Sequence, residues 1–94
     1  MTYKFNEPEN TACFVCSHVL HHERPILKVT HDGDDGFWQF LCGRDDHNES
    51  NANIIALRQV VALDGSVNDL AEMPLGIGAG RETETSIWEY FKLE

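Results

Sequence analysis

The chain predicts an α+β fold, a small antiparallel sheet with one or two short helices. Three stretches carry that expectation. Residues 25–30 and 37–42 are strand-like runs joined by His31-Asp-Gly-Asp-Asp-Gly36, and this pattern reads as a hairpin. Residues 54–63 are mostly apolar and read as a short strand running into a helix. Residues 87–92 alternate again, with Ile87, Glu89 and Phe91 against Trp88, Tyr90 and Lys92.

Taken in order, residues 1–10 form a loose lead-in. Residues 13–20 form a tight turn followed by one helical turn. In the first hairpin strand Leu27 and Val29 share one face, with Lys28 and Thr30 on the other. The connection holds two glycines and three aspartates, the residues that tight turns use. In the second strand Trp38, Phe40 and Cys42 share the face expected to be core. A polar, acidic loop follows over residues 44–53. Asp64-Gly65 ends the helix, Ser66 caps a second short one with Asp69 three residues on, and Pro74 stops it. Residues 75–81 carry Gly76, Gly78 and Gly80 and read as a bent strand. No repeat or linker interrupts the chain, so residues 1–94 make one domain.

Composition narrows the possible partners. Seven basic residues against sixteen acidic ones give a net charge of −9. Such a field repels phosphate backbones and anionic membranes, so nucleic acid and membrane are excluded and a basic protein surface is favoured. No apolar run is long enough to span a bilayer. The first residues are polar and acidic, unlike a signal peptide, so the expected compartment is the cytoplasm. Thiols stay reduced there, and an odd count of three cysteines also argues against a disulfide framework.

The most informative constellation is Cys13-x-x-Cys16 with Cys42 and His47. Thiolate and imidazole are the ligands zinc prefers, and a structural site takes four of them in a tetrahedron. A tight turn at Cys13–Cys16 would aim both sulfurs at one ion, and the hairpin would return Cys42 and His47 beside them. The expected cofactor is therefore zinc, stapling the N-terminal hairpin region. Two other readings compete: a redox Cys-x-x-Cys pair, and buried thiols with a solvated histidine. His18 is the alternative fourth ligand, or a donor that orients the site. His21 and His22 read as exposed. Asp32-Gly-Asp-Asp-Gly36 and Asp45-Asp-His-Asn-Glu49 do not fit a calcium loop, and Gly76-x-Gly-x-Gly80 lacks the phosphate-binding spacing.

Cys13-Phe-Val-Cys-Ser-His-Val-Leu20, Trp38-Gln-Phe-Leu-Cys-Gly43, Asp45-Asp-His47 and Pro74-Leu-Gly-Ile-Gly-Ala-Gly-Arg81 resemble a family of small bacterial proteins of unknown function. The strand pattern followed by acidic residues is also distantly similar to immunity proteins of bacterial toxin systems. The first resemblance puts Cys13, Cys16, Cys42 and His47 in the family's distinctive motifs. The second implies a binding protein that blocks an enzyme, and the acidic charge suits a basic toxin. The expected function is thus a zinc-binding domain that acts by protein binding and not by catalysis. A zinc-dependent hydrolase is the alternative, and it would need an open coordination position.

Overall fold

The computed structural model describes residues 3–43 and 52–93. The elements run β1 (Ala12–Cys16), α1 (Ser17–Leu20), β2 (Lys28–His31), β3 (Trp38–Leu41), β4 (Ala52–Ala56), α2 (Leu57–Leu63), a 3-10 helix (Gly65–Leu70), β5 (Ile77–Gly80) and β6 (Glu89–Lys92). The six strands form one sheet in the order β4-β1-β3-β2-β5-β6. The fold is α+β and the sheet is mostly antiparallel, with β1 and β3 as its parallel pair.

The expected hairpin is β2–β3, in register Val29↔Phe40 and His31↔Trp38. Its connection is closed by Asp32 N–H donating to Phe37 O, and Gly36 supplies the positive φ of 75° that the turn requires. Residues 13–16 depart from the expected tight turn and form a strand instead. The two residues between the cysteines are Phe14 and Val15, an aromatic and a β-branched side chain, both of which suit a pleated strand. The helical turn does follow, as α1.

The core lies where α2 and the 3-10 helix meet one face of the sheet. Leu57, Val60 and Val61, spaced i, i+3, i+4 on α2, join Val67 and Leu70 in one cluster with Val15, Val29, Trp38, Phe40 and Ala79. Residues 3–10 contain neither helix nor strand. Even so, Phe5 is buried edge-on to Trp38, with ring centroids 5.0 Å apart at 89°. Glu7 accepts the Trp38 indole N–H at 2.6 Å, and His31 stacks on the same indole at 3.9 Å. On β5, an added Cβ at Gly78 would come within 2.7 Å of the Phe91 ring, so glycine there lets β6 lay that ring on its neighbour.

A second polar anchor lies at Arg81, whose side chain is 1% exposed. Its guanidinium donates to Ile26 O, to Ser66 Oγ and, at 2.7 Å, to Asp64 Oδ2, and it lies under the Trp88 ring. The 3-10 helix is capped by Asp64, which accepts the Ser66 N–H, and not by Ser66 itself. Burial alone would raise the Asp64 carboxyl. Hydrogen bonds from Ser66 and the Arg81 guanidinium outweigh it and hold the carboxyl below its ordinary range.

Two stability predictions follow from these contacts. Trp38→Ala removes a buried indole and should destabilise by about 3–5 kcal/mol in urea unfolding. A loss below about 1 kcal/mol would show that the indole is not core. Asp64→Asn leaves the buried Arg81 charge unpaired and should cost about 3–5 kcal/mol at pH 7. Because the Asp64 carboxyl is depressed, its stabilisation is complete above its unfolded pKa of about 4 and is lost as pH falls through the folded value. The gap between wild type and Asp64→Asn should therefore narrow on acidification below pH ~4.

Candidate metal centre

The site is assembled by parallel pairing. In a parallel pair the C-terminal ends of both strands reach the same edge of the sheet. β1 and β3 pair with Phe14↔Gln39 and Val15↔Phe40, so Cys16 at the end of β1 and Cys42 just past β3 arrive together. α1 starts at once after Cys16, and its first turn carries His18 back to the same point. Asn53 of β4 ties this junction down, donating to Ser17 Oγ at 3.1 Å.

The loop after α1 is locked by the hydrogen bonds of a Schellman motif. Glu23 N–H donates to His18 O at 2.8 Å and His22 N–H to Val19 O, with His22 in the left-handed conformation at φ 60°. Arg24 N–H also donates to His18 O, at 3.2 Å, which turns the chain back over His18. The Arg24 guanidinium then sits 3.6 Å from Cys42 Sγ and 3.5 Å from His18 Nδ1.

The ligand atoms of Cys16, His18 and Cys42 lie within 4.8 Å of one another, and this group can hold a metal ion. Cys42 Sγ and His18 Nδ1 are 3.9 Å apart. Tetrahedral zinc, with bonds of about 2.3 Å to sulfur and 2.0–2.1 Å to nitrogen, sets a sulfur–nitrogen edge of about 3.5 Å. The observed separation is within a few tenths of an ångström of that edge. Both cysteines are buried, each 2% exposed. Burial pushes the Cys16 thiol up, while the N–H groups of Val19 and Cys42 that bond its sulfur pull it down; the net direction is up. Those two donors are placed to stabilise a thiolate once a cation neutralises it.

Of the residues singled out by sequence, Cys16 and Cys42 come together and His18, the alternative, joins them. Cys13 goes elsewhere. Three positions along an extended strand, it is about 10 Å from Cys16 and leaves the opposite face. Its thiol donates to Ile55 O at 3.4 Å across the β1–β4 pair, and burial raises it to about 12. His47 lies outside the described residues. His21 and His22 are exposed, and α1 ends too early to align His18 with His22 on one helical face. Sequence reasoning missed Arg24. The available signal was a lone cation six residues after His18, on a chain with few of them. No known protein family matches this chain, and neither a curated protein nor a solved structure matches it.

A thiol raised to about 12 is thiolate in only about one molecule in ten thousand at pH 8. Iodoacetamide followed by peptide mapping should therefore leave Cys13 unlabelled in the folded protein and label it fully in urea. Equal labelling in both conditions would contradict its placement between β1 and β4.

Proposed function

We propose that Cys16, His18 and Cys42 hold one zinc ion. The ion ties the ends of β1 and β3 to the first turn of α1, and the domain works by binding another protein. The observation that carries the metal reading is the convergence of two buried sulfurs and one imidazole nitrogen within 4.8 Å. That donor set is soft and borderline, which favours zinc over the hard cations calcium and magnesium. Structural zinc sites contribute folding energy directly, and here the ion would close the open end of the parallel pair.

The binding half of the reading rests on charge. The net charge is −9, and Asp34 and Asp35 stand exposed at the β2–β3 turn. A basic partner surface is attracted by such a field, and its approach is accelerated at low salt. An immunity-like inhibitor of a basic toxin is the narrower form of this reading, carried by the short motif resemblance and the acidic charge. No helix among the described residues is long and apolar enough to cross a membrane.

Elemental analysis of protein purified without chelator should find one zinc per chain. Cys16→Ser and Cys42→Ser should lose the ion, while Cys13→Ala should keep it. A chelator should lower the melting temperature without unfolding the protein at room temperature, because the Trp38–Phe40 core does not depend on the ion. Zinc-free protein with fully reduced thiols would overturn the reading. For the binding half, association with a native partner should slow as salt rises, since screening shortens the reach of the acidic field. A rate independent of salt would leave the charge with no part in recognition.

A further inference from the structure

Deepening the reading that the domain binds a basic protein surface, and resting on it, we propose that the outer edge of β6 takes an extended basic segment of that partner as an added strand of the sheet. Among the described residues β6 is the last strand in the sheet order and pairs with β5 alone. Its backbone is placed for a second neighbour. Leu93 N–H donates to Gly76 O at 2.9 Å, which turns the odd-numbered positions towards β5. By the alternation of an antiparallel pair, Tyr90 and Lys92 aim their N–H and C=O groups outward. The register with β5 is unbroken from Glu89 to Lys92, without the bulge or proline that commonly blunts an edge.

The side chains at this edge sort by face. Tyr90 pairs with Ala79, which is fully buried in the core, and Lys92 pairs with Ile77, so Tyr90 and Lys92 lie on the helix side of the sheet. Glu89 and Phe91 lie on the other side. The apolar groups here stay uncovered: Tyr90 is 60% exposed and Phe91 40%, with Ile87 beside them at 85%. An incoming strand covers apolar surface on both faces while its backbone meets the outward groups of Tyr90 and Lys92. Strand addition of this kind takes affinity from the main chain and specificity from alternate side chains.

Charge selects the occupant. Two clefts flank Tyr90 on the helix side. One, of about 420 Å³, has Asp69, Glu72 and Ile77 in its wall. The other, of about 350 Å³, has Asp69, Glu84 and Trp88. Arg81 also lines the second cleft, where Asp64 engages it at 2.7 Å. Asp69, Glu72, Glu84 and Glu89 are all exposed and outnumber Lys92, the cation of β6. Every second residue of a strand points to one face, about 6.6–6.8 Å from the next. A segment with Lys or Arg at alternate positions therefore sends cations to the acidic helix side and the residues between them to Phe91. A second copy of this chain fits worse, because its edge brings the same carboxylates and another net charge of −9.

The experiment uses the full chain and a labelled synthetic peptide of alternating Lys and Val, with binding read by fluorescence anisotropy at low salt. A control peptide is methylated on the backbone nitrogen of each Lys, so it keeps every charge and loses the donors that would face β6. It should bind the wild type about tenfold or more weakly, the effect of losing more than one hydrogen bond. This arm needs no variant to fold. Lys92→Ala removes a cation from the edge and should bind the unmodified peptide at least as tightly as wild type. Lys92→Pro removes the same cation and an outward N–H, and should bind about fivefold or more weakly than Lys92→Ala. Asp69→Asn/Glu72→Gln/Glu84→Gln should weaken binding in the same assay. Equal binding of the two peptides overturns the edge proposal and leaves the charge-based reading standing. Binding of neither peptide sinks that reading as well. A dimer of the chain alone that Lys92→Pro dissociates in sedimentation would show that a second copy holds the edge, which also overturns the proposal.

Discussion

The parallel pairing of β1 with β3 is the constraint on which the rest depends. An antiparallel pairing would send the end of β1 to the start of β3, and Cys16 and Cys42 would lie at opposite edges of the sheet. Parallel pairing brings both C-terminal ends to one edge and leaves them unclosed. The connection between the two strands has to travel out and back, and it does so through α1 and β2. α1 supplies His18 to the edge, and the loop after it supplies Arg24. The candidate site is therefore a consequence of topology: every group in it comes from the crossover or from the strand ends the crossover joins.

The frame that fixes this pairing is polar as well as apolar. Trp38 anchors β3 through three partners at once: Phe5 edge-on, His31 stacked, and Glu7 on the indole N–H. His31 is itself held at Met73 O by Nδ1 at 2.8 Å. At the other side of the sheet Arg81 joins β5 to Ile26, just before β2, and to the cap of the 3-10 helix. These two clamps hold the central strands in register from both sides. Buried polar pairs of this kind specify one arrangement more sharply than apolar contact alone, because alternative arrangements leave a donor or charge unpaired.

Much of this frame was legible in the chain. The burial of Trp38, Phe40 and Cys42 follows from period-2 alternation, which β3 obeys, whereas in β2 both Val29 and Thr30 are buried because that strand lies inside the sheet. The strand running into α2 follows from the apolar stretch after residue 54. The site was legible only in part. The Cys-x-x-Cys spacing suggested a turn, yet Phe14 and Val15 between the sulfurs are strand formers, and a strand sends Cys13 and Cys16 to opposite faces. Reading those two residues for propensity would have separated the pair. The parallel register could not be read locally, because β1 gives no sign of which strand it will pair with. Arg24 reaches the site only through the left-handed residue at His22, a position that usually takes glycine and carries no such signal here.

The central claim is that topology brings two cysteines, and not three, to one ion. X-ray absorption at the zinc edge counts those ligands directly in the loaded protein. The account predicts two sulfur neighbours at about 2.3 Å and nitrogen or oxygen neighbours at about 2.0–2.2 Å. Three sulfurs would mean that Cys13 leaves its place against Ile55 to join the ion, and that the pairing of β1 with β4 yields to the metal. A shell with no sulfur would contradict the centre altogether.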